Sequence, residues 1–167
     1  MLIRFNVENF LSFNEKVEFS LIANKERRLT SHIFKGDGIN ILKSGVIYGA
    51  NASGKTNLVK AIEFSQKVIT TGIDKLNPVN CHFRLKKDNV NSPSIFNYEI
   101  KAGNKYYSYG FAIQLNKHRI IEEWLYEIGN NKEKKVFERF VNDAGKHEIE
   151  IGLSLFNDSF KNNSKIP

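Results

Sequence analysis

The stretch that decides the fold reads Gly49-Ala50-Asn51-Ala52-Ser53-Gly54-Lys55-Thr56 and matches the phosphate-binding loop pattern G-x-x-x-x-G-K-[ST]. The two glycines allow backbone angles that other residues avoid, and successive N–H groups in such a loop form a concave anion site. The lysine adds a charge that can reach phosphates, and the threonine hydroxyl suits Mg²⁺, which prefers oxygen ligands. The pattern predicts a site for a nucleoside triphosphate with Mg²⁺, the metal held by Thr56. Its residues are Gly49, Asn51, Ala52, Ser53, Gly54, Lys55, Thr56 and Asn57.

The residues on either side of this loop indicate a strand–loop–helix unit. A short β-prone run over residues 45–48 predicts a strand that leads into the loop. From Lys55 the apolar spacing changes to about 3.6 residues, which predicts a helix over residues 55–70 that stops at Gly72. Its apolar stripe consists of Leu58, Ala61, Ile62, Ser65, Val68 and Ile69. A phosphate loop normally lies between a strand and a helix in this way.

Alternating apolar residues on both flanks predict antiparallel strands. One strand pair is expected between Leu2 and about Ile22, and a meander is expected over residues 96–151. Residues 24–43 are polar and basic and predict an exposed loop, and residues 157–167 are polar and predict a frayed end. The core face of the meander is expected to hold Tyr107, Tyr109, Phe111, Ile113 and Leu115. The fold class is therefore α/β: a single lobe over residues 1–167, with a mixed sheet and an antiparallel meander packed on the loop's helix.

Composition limits the class of protein. The 167 residues include 25 Lys and Arg against 18 Asp and Glu, and this net charge of +7 attracts phosphate groups. Only six of the 25 are arginine, the residue that phosphate-reading surfaces favour, so a coding bias toward lysine explains the charge equally well. No apolar run approaches the roughly 20 residues of a membrane span, and the N-terminus lacks a signal pattern. We therefore expect a cytoplasmic protein that does not enter a membrane.

Catalytic and metal-binding patterns other than the phosphate loop are weak. The single cysteine, Cys81, excludes an internal disulfide and a multi-cysteine metal site, and we expect it to be a half-buried, unreactive thiol. The four histidines show no metal-ligand spacing; they are His32, His82, His118 and His147.

Two segments resemble the start of ABC-type ATPase heads. Residues 3–13 (IRFNVENFLSF), followed further along the chain by residues 48–58 (YGANASGKTNL), are similar to segments of RecF, of structural-maintenance-of-chromosomes proteins and of overcoming-lysogenization-defect nucleases. The bacterial AAA family ATPase group often linked to phage defence has similar sequences at these positions, and residues 107–111 and 121–125 resemble its strands. The resemblance implies that the chain binds ATP with Mg²⁺ and acts in DNA repair or anti-phage defence.

The resemblance also implies parts that this sequence does not show. Such heads often place Arg or Lys after Asn-Phe, where this chain has Leu11, and they carry a signature helix, a Walker B Asp-Glu pair and a switch histidine. Residues 120–123 and 155–158 are poor candidates for the acidic pair, and Gln66 or Gln114 is a weak candidate for the Q-loop glutamine. We therefore expect this chain to be the N-terminal lobe of an ATPase head. Alone it should hydrolyse almost no ATP, and a second copy or a partner chain would supply the signature motif.

Two alternatives stay open on the sequence. The first is another small phosphate-loop enzyme, although the Asn-Lys-x-Asp motif of guanine-specific proteins is absent. The second is a nucleic-acid-binding module, for which a steep loss of DNA affinity with salt would be diagnostic. Its basic residues would be Lys25, Arg27, Arg28, Lys86, Lys87, Lys132, Lys134 and Lys135.

Overall fold

A computed structural model describes residues 1–24, 29–36, 38–78, 80–129, 132–142 and 144–152. Within these residues there are one α-helix, nine strands and four short 3₁₀ turns. The helix is α1 (Lys55–Thr71), and the 3₁₀ turns are Thr30–His32, Ile73–Lys75, Lys87–Val90 and Leu115–Lys117. The strands are β1 (Leu2–Glu8), β2 (Val17–Ser20), β3 (Ile33–Lys35), β4 (Asn40–Leu42), β5 (Ser94–Ala102), β6 (Lys105–Gln114), β7 (Arg119–Ile128), β8 (Glu133–Val141) and β9 (His147–Ile151).

Seven of the strands form one sheet in the order β2-β1-β5-β6-β7-β8-β9, and every pair of neighbours is antiparallel. The N-terminal strand pair and the long meander are therefore confirmed. β1 pairs with β5, so that Phe5 lies opposite Tyr98 and Val7 opposite Phe96. Strands β3 and β4 form a separate two-stranded sheet.

The core lies between α1 and one face of the large sheet. The helix buries Leu58, Ala61, Ser65 and Val68, which confirms most of the expected stripe. They belong to one apolar cluster with the alternate residues of β1, β5 and β6, among them Phe5, Phe96 and Phe111. Aromatic rings continue the contact, with ring centroids of Phe96 and Phe111 5.3 Å apart. The prediction that the helix packs on the meander is confirmed.

The strand expected before the phosphate loop is not formed. Residues 44–49 belong to no strand, and the side chains of Val46 and Tyr48 are 88% and 90% exposed. No described strand pairs with this segment, so its backbone is not part of a sheet. The expectation of a mixed sheet is wrong for the described strands, which pair only in the antiparallel sense.

Three smaller expectations also need correction. The polar stretch 24–43 is not only a loop, because its described part contains β3 and β4, whose three-residue length gives little alternation to detect. On α1, Ile69 is 46% exposed rather than buried. Tyr107 and Tyr109 are half-buried, whereas the following residues of that face are fully buried, because α1 covers only part of the sheet. Residues 157–167 lie outside the described residues.

No described helix has the length and apolar character needed to cross a membrane.

Candidate functional site

The phosphate loop has the backbone of an anion site. Ala52 and Gly54 both have positive φ, 64° and 92°, and they alternate with residues of negative φ. Such an alternation turns successive N–H groups toward one point. A Cβ on Gly49 would lie 3.1 Å from Ser53 Oγ, a tight approach that would require the serine side chain to shift. Of the two glycines, only Gly54 has a positive φ, and Ala52 supplies the other left-handed position of the loop.

Helix α1 points its N-terminus at the same place. Gly54 is its N-cap, and the first helical hydrogen bond runs from Leu58 N–H to Gly54 O at 3.0 Å. The N–H groups of the first turn have no acceptor within a helix, and no side chain caps them here. Together with the helix dipole they attract an anion. Residues 52–57 line a cavity of about 250 Å³ at this point.

The Lys55 ammonium lies at the mouth of the loop. Its Nζ donates to the carbonyl oxygens of Gly49 and Ala50 at 2.8 and 2.7 Å and lies 3.4 Å from Ser53 Oγ. The exposed Thr56 side chain follows on the first turn of α1. The structure thus brings the predicted residues from Ala52 to Asn57 around one cavity, with Gly49 bonded to the lysine. Asn51 is exposed and does not line the cavity.

A second loop, residues 9–13, supports the phosphate loop from the sheet side. Phe10 and Phe13 exchange two backbone hydrogen bonds of 3.0 and 2.9 Å, which closes a tight turn. The turn places Ser12 and Phe13 against Gly54, since a Cβ built there would lie 3.3 Å from Ser12 Oγ and 3.7 Å from the Phe13 ring. The family resemblance includes this segment, but no sequence pattern indicated this contact.

Asn9 fixes that loop to the segment 80–93. Asn9 is 3% exposed and has φ 48°, a left-handed conformation that asparagine tolerates better than most residues. Its Nδ2 donates to the carbonyls of Asn89 and Ser92 at 2.9 and 3.0 Å. Its Oδ1 accepts from the Phe83 N–H at 3.1 Å and from Asn89 Nδ2 at 3.0 Å. Asn9 is therefore the residue that positions both loops next to the site.

A second cavity, of about 430 Å³, continues from the first. Asn57 borders both of them, and the second is also lined by residues 11–12, 80 and 82–85. Leu11 and Phe83 give it an apolar wall, and Arg84 gives it a positive charge. Burial raises the pKa of the neighbouring Cys81 thiol, as expected for an unreactive cysteine.

The acidic candidates of the sequence have other partners or lie outside the described residues. Glu123 on β7 accepts from the Tyr109 hydroxyl at 2.7 Å and pairs with Arg139 at 2.7 Å. Burial, followed by the Glu123 contact, raises the pKa of Tyr109. Residues 155–158 are not described, and no group of three metal-ligating side chains occurs in the described part of the chain. Gln66 is exposed on α1, and Gln114 ends β6.

The basic residues do not form one patch within the described residues. Lys86 and Lys87 precede β5, whereas Lys132 and Lys134 follow β7, which places the two pairs at opposite ends of the strands. Lys135 is already paired, because it binds Glu138 and Glu150 at 2.6 Å each, and these hydrogen bonds raise its pKa. Residues 25–28 lie outside the described residues.

Comparison with known proteins gives one family. The family model described as "AAA domain, putative AbiEii toxin, Type IV TA system" matches residues 46–144. No curated protein matches the chain. The match begins just before the phosphate loop, runs past the end of β8 and covers more than half of the 167 residues. The chain therefore belongs to this family of AAA domains, which are nucleotide-binding, ATPase-like domains.

Proposed function

We propose that this chain is the ATP-binding lobe of an ABC-type ATPase head and that it binds Mg-ATP through residues 49–57. The observation that carries the proposal is the Lys55 ammonium, held 2.8 Å from Gly49 O at the mouth of a loop with two positive-φ residues. A charge, a set of converging N–H groups and a helix N-terminus meet there, and together they fit a polyphosphate.

Each part of the site has a separate task in this proposal. The loop N–H groups and Lys55 bind phosphate oxygens and offset their charge, and the Thr56 hydroxyl holds Mg²⁺. The nucleoside lies toward the second cavity, against Leu11 and Phe83. Mg²⁺ would be held by Thr56 when bound and would neutralise negative charge that develops in phosphoryl transfer.

Hydrolysis needs groups from a partner. Apolar side chains beside the phosphate loop are uncovered, among them Val46, Tyr48 and Val59, the last 60% exposed on α1. Their burial would contribute roughly 25 cal/mol for each Å² of apolar surface covered. We propose that a second copy or a further polypeptide covers this side and supplies the acidic metal ligand and the signature motif. The lobe alone then binds ATP weakly and hydrolyses it negligibly.

The biological role is proposed from the resemblance and from the family. DNA repair and anti-phage defence are the settings of the ABC-type heads that residues 3–13 and 48–58 resemble. The family description names the AbiEii toxin of type IV systems, which favours defence over repair.

Calorimetry of ATP binding tests the site. Lys55→Ala should weaken ATP binding at least tenfold, about 1.4 kcal/mol, because it removes the positive charge of the lysine beside the phosphates. Lys60→Ala is the matched control, since Lys60 is an exposed lysine on α1 that lies outside the loop cavity. Equal affinities for wild type, Lys55→Ala and Lys60→Ala would disprove the site.

Phosphate release by the purified chain tests the need for a partner. We expect no turnover above background. Turnover on the order of 1 s⁻¹, within the usual enzyme range, that disappears in Lys55→Ala would place the catalytic carboxylate within these 167 residues.

A further inference from the structure

The second cavity carries a positive charge that the proposed ATP site leaves unused. Arg84 lines this cavity of about 430 Å³ but does not line the phosphate cavity at residues 52–57. Lys55 lines the phosphate cavity and does not line the second one. Each cavity therefore has its own cation, and Asn57 is the residue that lines both.

No carboxylate within the described residues neutralises Arg84. Its side chain is exposed and forms no ion pair with a described residue. The linings of the two cavities contain cationic and neutral side chains and no Asp or Glu. The nearest acidic residue along the chain, Asp88, is exposed and lines neither cavity. Lys86 and Lys87 on the same loop add further positive charge, so the second cavity attracts an anion.

The apolar wall of the second cavity is held in place by hydrogen bonds. Leu11 and Phe83 belong to this wall. The Phe83 N–H donates to Asn9 Oδ1 at 3.1 Å, and the Leu11 N–H donates to Cys81 O at 2.7 Å, so the two segments that carry the wall are bonded to each other. Such a wall suits the flat face of a base, and the volume falls within the usual range of small-ligand sites, roughly 300–1,000 Å³.

We propose that Arg84 binds a phosphate group on the ribose, so that the preferred ligand is a nucleotide phosphorylated at its 2′ or 3′ oxygen as well as at its 5′ end. This inference rests on the proposed function, which places the 5′ phosphates at Lys55 and the nucleoside in the second cavity. Arginine suits the role because its planar guanidinium offers parallel N–H donors to two phosphate oxygens. Such a phosphate is a monoester in a free nucleotide and a diester where the nucleotide begins a nucleic acid strand.

Calorimetry tests the inference with ATP, its 2′-phosphorylated and 3′-phosphorylated derivatives, and the 5′-triphosphorylated dinucleotide pppApA. At least one of the three derivatives should bind about fivefold more tightly than ATP, the upper range of an exposed charge pair. Arg84→Gln should abolish this gain and leave the affinity for ATP itself unchanged. Lys87→Gln is the matched control and should keep the gain, since Lys87 is an exposed cation that lines neither cavity. A gain for the monoesters alone identifies a free nucleotide, and an equal gain for pppApA identifies the end of a nucleic acid strand.

Three outcomes would overturn the inference. They are equal affinity for ATP and all three derivatives, a gain that survives in Arg84→Gln, and a gain that Arg84→Gln and Lys87→Gln reduce equally. ATP binding that depends on Lys55, without any gain from a ribose phosphate, contradicts this inference and leaves the proposed function intact. No binding of ATP or of any derivative contradicts both.

Discussion

The two sides of α1 differ in how far other parts of the chain cover them. On the sheet side, Ala61 and Ser65 are fully buried, and the aromatic residues of β1, β5 and β6 pack around them. On the other side, Val59 is 60% exposed, and Val46 and Tyr48 beside the phosphate loop are almost fully exposed. Both sides carry apolar residues, but only the sheet side contributes to the stability of this chain. The uncovered apolar side chains lie beside the phosphate loop, at the place where the partner is proposed to bind.

The largest expected effect is on the packed side. Phe111→Ala should lower the free energy of unfolding by about 3–5 kcal/mol, because Phe111 is fully buried against α1 and Phe96. Phe111→Leu keeps more of the volume and should cost less, about 1 kcal/mol. Urea unfolding of the three proteins measures both values. An unchanged midpoint for Phe111→Ala would show that the sheet side is not the core.

The next effect concerns the loops that link the core to the phosphate site. Asn9→Gly keeps the left-handed backbone but removes the side-chain hydrogen bonds, and it should cost about 2–3 kcal/mol. Asn9→Ala adds a Cβ in that conformation and should cost about 1 kcal/mol more. Both variants should also bind ATP more weakly, because Ser12 and Phe13 would no longer be held against Gly54. Equal stability of wild type and Asn9→Gly in urea would remove Asn9 from this role.

A smaller effect is expected where the helix meets the sheet through polar groups. Tyr98 bonds to Ser65 in the core, and burial raises the pKa of its phenol. The pKa of Tyr98 in the folded chain therefore lies above its pKa of about 10 in the unfolded chain. The stability that the neutral phenol contributes is fully present below about pH 10 and is lost as the pH rises through the folded-state pKa. Tyr98→Phe should cost about 1 kcal/mol at neutral pH for the lost hydrogen bond.

Unfolding measured from pH 8 upward, on the protein and on Tyr98→Phe, separates the two contributions of Tyr98. The variant should lose stability less steeply above roughly pH 10, since phenylalanine does not ionise. Parallel pH curves would indicate that Tyr98 titrates alike in the folded and unfolded chain.

The smallest effect is expected on the uncovered side. Val46→Ser should leave the free energy of unfolding within about 0.5 kcal/mol of wild type, because the side chain is 88% exposed. The same urea titration used for Phe111→Ala measures it. A loss comparable to that of Phe111→Ala would mean that Val46 is buried in solution and that the contrast between the two sides is false.

Much of the fold was predictable because it depends on local periodicity. The alternation in residues 107–115 and the 3.6-residue spacing from Lys55 are visible in the sequence. In both segments, the apolar positions lie on the face that packs in the core. The strand expected at residues 45–48 failed for the opposite reason. Its composition is that of a buried strand, but strand formation requires a neighbour, and no described strand provides one.

The candidate site was predictable only in part. Residues 49–56 form a contiguous motif, so the position of the loop could be predicted from residue types alone. The role of Asn9 could not be predicted, because its partners lie 74 to 83 residues away and are brought together by β1 pairing with β5. The same holds for the cross-strand neighbours Asn6, Asn97, Gly110 and Trp124. They lie side by side only because of the register of four strands.

The position of β1 has a consequence for how the chain folds. The meander β5–β9 is made of consecutive hairpins, which can close locally and fast. The pairing of β1 with β5 is different, since it closes a loop that contains β2, the phosphate loop and all of α1, and closing long loops has an entropic cost. We therefore expect β1 to join the sheet after the meander has formed, so that the loops beside the phosphate loop are positioned late. Slow entry of β1 would delay nucleotide binding by this domain, even after most of its secondary structure is present.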